Sequence, residues 1–514
     1  MKIGCVYTVE AYASVEKPMQ APNEIPFGIG FIISVLQEAG HDVELFVITP
    51  DTPLDALLGR YIRRERPGMF CFTAVSTQYW QARKTARFVA RTDPGIFRIL
   101  GGHHASLNPE AVIEDGDFDA ICVGEGERAV TELAESLGAN DGNPRDIMNL
   151  WFRDRETDEV HRNPSAEFRG DLDALPDLNR RIWDPWMEQP DEYPSLLLGR
   201  GCPFKCRYCS NHAMAKLSEG RYVRFRSPEN IVGELVNIRR DYPGVERVYL
   251  EVETFGANRK ASYAIFDALA AFNKSQDRPI SFGANLALTS SFMSDAERLN
   301  ELMSKAKAAN VVTINVGLES GSDRVRNEVL LRPKYKNDEL VQFCQEARDH
   351  DIKIVFYVLM GLPGETVADY METVRVARAA QPYTCLVSIF FPYLGTDLAT
   401  ESIHMGLIDS ESLSPKGERS SAQLDLPGFS RRRIRFEYIV FWWRVYRGHW
   451  RLPKVLANMA AAYLRAHPKV YSLYLFVRNK SGIVMRLANR YGTGEHKLGK
   501  APRKVGTRVD VSRD

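Results

Sequence analysis

The chain has 514 residues, too many for one ordinary domain, and its 44% hydrophobic residues are ample for two or three buried cores. Lys and Arg total 67 against 66 Asp and Glu, a formal net charge of +1, so the overall balance gives no electrostatic case for binding nucleic acid. No apolar run nears the ~20 residues that span a bilayer, the start lacks a signal-peptide pattern, and eight cysteines in so long a chain make no disulfide scaffold. A soluble, cytoplasmic protein without a membrane span is expected.

From residue 1 to about 140, short β-branched runs at 2–7, 43–48, 69–74, 97–100 and 119–123 alternate with helical periodicity, as at 28–39 and 81–91. This pattern predicts a Rossmann-like, doubly wound parallel sheet with its ligand beyond the carboxyl ends of the strands. The loops at those ends read PFGIG (26–30), STQYW (76–80), GGHHA (101–105) and GEGE (124–127). Glycines there let the backbone approach a large ligand; any one loop alone is equally a tight turn. Turn residues at 139–144 end this domain. Residues 141–192 read as a short hairpin (150–168) and an extended interdomain linker, with Trp183 and Trp186 expected to pack.

Residues 193–400 give six apolar strand candidates, at 195–198, 247–252, 280–284, 311–316, 353–360 and 385–390, separated by helical stretches. The repeat predicts a partial, TIM-like (β/α)6 barrel with its reacting groups at the carboxyl ends of the strands. Just after the first strand stand Cys202, Cys206 and Cys209, spaced CxxxCxxC. Three soft thiolates suit iron–sulfur chemistry. They are one too few for the four irons of a cubane, so one iron would stay open to substrate. A zinc knuckle would need a fourth ligand, for which His212 is near enough, but the downstream repeat fits a knuckle poorly. The other strand ends carry Glu253, Asn285, GLESG (317–321) and MGLPGET (360–366).

The cysteine loop, with aromatic Tyr208 directly before its last cysteine, resembles the cluster-binding signature of radical S-adenosylmethionine (SAM) enzymes. The four earlier loops, GGxH and GEGE above all, resemble the cobalamin-binding domain of the B12-dependent members. The resemblance implies a 4Fe-4S cluster on Cys202, Cys206 and Cys209, with SAM chelated to the open iron. Around SAM it implies Tyr208, Glu253, Asn285, Glu319 near the ribose or methionine amine, and Met360 with Leu362 against adenine. A DxHxxG motif is absent, so cobalamin is expected base-off and without a histidine ligand. It would be held by Gly28, Ser76, Gln78, Gly101, Gly102, His104, Gly124, Glu125, Gly126 and Glu127, with Gln78 below the cobalt. Where relatives often read PxPGT after the last strand, this chain has PYLGT at 392–396.

Cys5, Cys71 and Cys122 fit a second cluster superficially, but lie within predicted strands, where a thiol acts as a small hydrophobe; a single cluster is expected. Beyond 400 the resemblance fades. Residues 401–495 read as a helical C-terminal domain and 496–514 as a disordered tail. The basic, aromatic stretch 431–444 could face RNA or a membrane. Apolar spacing favours a helical cap packed under the barrel.

The implied activity is C-methyl transfer from methylcobalamin to an unactivated carbon, after hydrogen abstraction by a 5′-deoxyadenosyl radical. The scheme demands no general base. Rearrangement, oxidation or cyclisation without methyl transfer is the alternative on the same cofactors, and a non-enzymatic cobalamin- or iron-sensing protein is the alternative of another class. Expected partners are a small-molecule or natural-product substrate and an external one-electron reductant such as flavodoxin or ferredoxin, with no nucleic acid.

Overall fold

The computed structural model describes residues 1–10, 12, 14–139, 144–252, 255–293, 295–409, 418–467 and 470. Strands β1 (Lys2–Thr8), β2 (Asp42–Ile48), β3 (Met69–Thr73), β4 (Phe97–Gly101) and β5 (Ala120–Cys122) are parallel, in the order β2-β1-β3-β4-β5. The order reverses between β1 and β3, where a crevice opens beyond the carboxyl ends in such sheets. Side chains alternate between two buried faces. Cys5, Cys71, Ile99 and Cys122 meet the helices Phe27–Glu38 and Glu127–Ala139 through Ile29, Ile33, Val130 and Leu133. Val6, Phe70, Phe72, Leu100 and Ile121 meet Ala82, Ala86 and Val112 on the other side.

The hairpin β6 (Leu150–Arg153) and β7 (Val160–Arg162) does not stand apart with the linker. It pairs antiparallel to β5 and extends the first sheet to seven strands, because Leu150 and Phe152 complete the same core. The linker is anchored rather than loose. Trp183 is fully buried with its ring 5.9 Å from that of Tyr7, and Arg180 reaches the buried Glu234, which also pairs with Arg226.

The second sheet contains β8 (Ser195–Leu197), β11 (Arg247–Glu251), β12 (Ser281–Leu286), β13 (Val311–Glu319), β14 (Lys353–Met360) and β15 (Thr384–Ile389), all parallel and in chain order, with β8 and β15 at its two edges. A ribbon of β9 (Gly199–Arg200) and β10 (Arg224–Phe225) follows β8. The intervening helices start where a side chain satisfies a free amide. Ser227 accepts from Asn230 N–H, Asp295 from Glu297 and Arg298, and Thr366 forms a capping box with Asp369. Their inner faces, including Leu235, Phe266, Leu302 and Phe343, pack on Leu250, Phe282, Ile314 and Phe356.

Two C-terminal helices follow: Arg431–Tyr446 covers the helix Val367–Ala380 and β15, and Leu452–Ala466 packs on Arg431–Tyr446. The Tyr446 hydroxyl donates to Cys385 Sγ at 3.3 Å. Glu253 and the tail 496–514 lie outside the described residues. Among the described residues no helix is long and apolar enough to cross a membrane.

Candidate active site at the domain seam

The carboxyl ends of β1, β3, β4 and β5 open into a cavity of about 660 Å³ whose opposite wall is formed by Arg200, Gly201, Asn211, Met214, Tyr222 and Arg224 of the second domain. Gly28, Gln78, Gly101, Gly102, Gly124, Glu125, Gly126 and Glu127 all line it. An apolar slot continues below, between Ile25 just ahead of the first helix, Ile29 and Ile32 on that helix, and Ile99 and Val130. The glycines keep the mouth open. A Cβ at Gly28 would meet nothing within 4 Å and would occupy free space, and one at Gly101 would meet only Cys122 Cβ, at 3.8 Å. Such a cradle of bare backbone above an apolar slot suits a large flat ligand with an appended group.

Two expected contacts are placed elsewhere. Ser76 and His104 do not line the cavity; His104 Nδ1 and Ser76 Oγ are 3.1 Å apart, and the imidazole lies 4.2 Å from the Tyr79 ring. Burial pushes the His104 imidazole down to about 4, so the pair holds the loop as a neutral structural unit. Its neighbour His103 lines the cavity instead. Adjacent residues at a helix start point about 100° apart, so only one of the two histidines can face the opening.

The GEGE carboxylates reach across the seam. Glu125 accepts from Arg200 (3.2 Å), from both terminal nitrogens of Arg224 (2.8 and 3.0 Å) and from the Arg169 amide (2.9 Å), while Glu127 pairs with Arg200. Burial opposes the Glu125 charge, but Arg224 and Arg200 outweigh it and hold the carboxyl below its ordinary range. Arg200 ends β9, two residues before Cys202, so this clamp ties the cavity's first wall to the cysteine loop.

Cys202, Cys206 and Cys209 lie together on the loop between β9 and the short helix Ser210–Met214, with Cys209 N–H bonded to Cys206 C=O at 3.1 Å. Burial pushes the Cys206 thiol up to about 11, partly offset by Arg332. A thiol so placed loses its proton to a metal more readily than to water. Among the described residues no three His, Cys, Asp or Glu side chains converge on a single ion. A cubane does not require that, since each cysteine takes its own iron. His212 contacts Asp397 at 3.3 Å. Cys5, Cys71 and Cys122 are buried in the first sheet, and burial raises Cys122 to about 12.

Behind the cysteine loop, Arg332 donates to the Tyr208 hydroxyl oxygen (2.6 Å), which donates to Glu319 Oε1 (3.0 Å). Arg332 also holds the Gly317 carbonyl at 2.8 Å. Glu319 ends β13 with φ of 54°, a left-handed backbone a glutamate adopts only under constraint. Burial raises its carboxyl pKa against the pull of Arg332. Deeper in the sheet, Tyr249 donates to Asn285 Oδ1 (2.6 Å), and Asn315 donates to Tyr249 (2.8 Å) and Tyr357 (3.1 Å). Met360 and Leu362 are fully buried in the core, and the amides of Gly361 and Leu362 donate to Glu365.

The PYLGT loop abuts the first domain. Gly395 has φ of 86°, and a Cβ there would stand 2.6 Å from Leu107 Cβ. The close approach requires glycine. The side chains missed by motif reading are Arg200, Arg224 and Arg332. Arg200 borders the recognised cysteine loop, and that adjacency was the available signal, whereas Arg224 and Arg332 border no recognised motif.

With this geometry in place, two family models match in sequence. Residues 21–134 match the B12 binding domain and 196–377 the Radical SAM superfamily. The chain joins a cobalamin-binding domain to a radical SAM domain. It thereby matches the B12-dependent radical SAM enzymes. It is 26% identical over 387 residues to the anaerobic magnesium-protoporphyrin IX monomethyl ester cyclase of Cereibacter sphaeroides, covering 73% of this chain and 60% of that protein. It is 23% identical to an uncharacterized methyltransferase of Pyrococcus horikoshii, covering 74% and 79%. The solved radical SAM methyltransferase TsrM from Kitasatospora setae, with cobalamin and a 4Fe-4S cluster bound, superposes with a TM-score of 0.60 at 16% identity, over 79% of this chain and 75% of that one. At that identity the likeness speaks for the fold. Both domains of the present chain take part in it.

Proposed function

We propose that the chain is a cobalamin-dependent radical SAM C-methyltransferase acting on an unactivated carbon of a small molecule or natural product. The observation that carries the reading is the shared cavity, walled on one side by the glycine loops of the B12-binding domain and on the other by the segment that leads into the cysteine loop. Cys202, Cys206 and Cys209 would hold the cluster. Tyr208, Glu319 and Asn285 would surround SAM, with Glu253 and the backbone at Met360 and Leu362, and the glycine loops with Gln78 and Glu127 would seat cobalamin. Bound there, the cofactors supply the electron, the hydrogen-abstracting radical and the methyl group.

The chain's own residues supply placement and exclusion of water. Arg332 and Tyr208 fix the Glu319 carboxylate, and the arginine–glutamate clamp fixes the spacing of the two cofactor loops. The apolar slot would shelter an appended group of the bound cobalamin. An external one-electron reductant, flavodoxin or ferredoxin, completes the system.

The similarity to a cyclase favours a second reading, cyclisation or oxidation on the same cofactors without methyl transfer. Anaerobic turnover with methyl-deuterated SAM separates the two. Deuterium in the product supports methylation, and unlabelled product with 5′-deoxyadenosine supports the second reading. Absence of both S-adenosylhomocysteine and 5′-deoxyadenosine from the iron- and cobalamin-loaded protein defeats both in favour of a binding protein.

A further inference from the structure

The C-terminal helix pair carries apolar side chains that the core does not use. Phe436 and Trp443 stand seven residues apart on Arg431–Tyr446, and Leu452, Leu456 and Tyr463 stand four and seven apart on Leu452–Ala466. Seven residues are nearly two turns, so each set forms one stripe along its helix. All five side chains are exposed, from 39% at Trp443 to 54% at Leu452.

The stripes lie among cations. Residues 431–470 contain ten Lys and Arg and one acidic residue, Glu437. Glu437 is fully buried between Arg433 (2.8 Å) and Arg444, so it offers no negative charge to the surface. Arg432, Arg435, Arg447, Arg451 and Arg465 are exposed and make no ion pair among the described residues. The near-neutral total conceals this asymmetry. Residues 431–514 hold 20 of the 67 Lys and Arg but only 4 of the 66 Asp and Glu.

We propose that this face docks the protein peripherally on an anionic lipid bilayer. Leu452, Leu456 and Phe436 enter the acyl boundary, Trp443 and Tyr463 sit at headgroup level, and the unpaired Arg432 and Arg447 on the Phe436 stripe, with Arg435 at its flank, meet lipid phosphates. With no helix able to cross a bilayer among the described residues, the helices lie in the interface plane.

The observations favour a bilayer over the two other occupants. RNA is gripped by flat rings that stack on bases, and exposed leucines contribute nothing to that. A second copy meeting the same face through a two-fold axis would press arginines against arginines.

The full-length chain is tested by co-sedimentation with phosphatidylcholine vesicles, with and without phosphatidylglycerol. Binding is expected on the anionic vesicles and should weaken as salt is raised. Leu456→Glu and the pair Arg432→Glu with Arg435→Glu should each lower the partition coefficient about tenfold or more. Trp443→Phe, which keeps an apolar ring, should retain most of it and serves as the folded control. Three results overturn the proposal: no binding to anionic vesicles, binding untouched by both the Leu456→Glu and the Arg432→Glu with Arg435→Glu variants, or an exposed stripe whose only measurable effect is dimerisation or RNA retention.

Discussion

Among the loops of this chain that combine glycine with glutamate, GEGE at 124–127 and GLPGE at 361–365 have carboxylates that meet opposite fates. Glu125 faces Arg200 and Arg224 across the domain seam and is held charged. Glu365, 1% exposed, accepts among the described residues only from its own loop, the Gly361 amide at 2.6 Å and the Leu362 amide at 3.2 Å, and burial pushes it up to about 8. The difference lies in the neighbours, not in the motif. A carboxylate beside two guanidiniums joins domains, whereas one that meets only amides braces its own turn.

The comparison breaks hardest at the seam. Glu125→Ala leaves Arg224, whose side chain is 2% exposed, without its carboxylate, and stability should fall by roughly 3–5 kcal/mol in denaturant unfolding. Glu365→Ala orphans two buried amides at about 1–3 kcal/mol for each bond lost, again read by denaturant midpoint. Glu365→Gln, which keeps an acceptor, should cost far less.

The finest contrast is the sign of the pH dependence. The Glu125 carboxyl is held below the ordinary 4.5, so the stability it contributes is present above that value and is lost as pH falls through the folded-state value. Glu365 binds its proton more tightly folded than unfolded, so its effect runs the other way, with stability declining as pH rises from 4.5 to about 8. Melting temperature followed across pH should show Glu125→Gln flattening the acid limb and Glu365→Gln flattening the decline toward pH 8. Identical profiles for the two variants would dissolve the distinction.

Much of the fold was legible because buried parallel strands are continuous apolar runs, and β1 to β5, β8 and β11 to β15 were each recognisable that way. The hairpin β6–β7 was recognisable as a hairpin but not as a sheet edge, since its partner β5 lies 28 residues back, beyond the helix Glu127–Ala139. Glycines of the cavity were legible for the same reason that they work, having no side chain to serve any other purpose. His103 and His104 were not separable, because one step along a helix decides which faces the opening. The arginines were hidden by distance. Arg200 and Arg224 lie 75 and 99 residues from Glu125, and no local pattern announces a pairing of that span.

The strand order of the second domain bears on how the molecule is made. Each strand of its six-stranded sheet after β8 lies beside the sheet strand synthesised before it, so the sheet can grow by edge addition while the chain leaves the ribosome. The first sheet cannot proceed so simply, because β1 must wait for both β2 and β3 to flank it. On this account β15 is the last edge to form, and the helix Arg431–Tyr446, synthesised after it, packs against it.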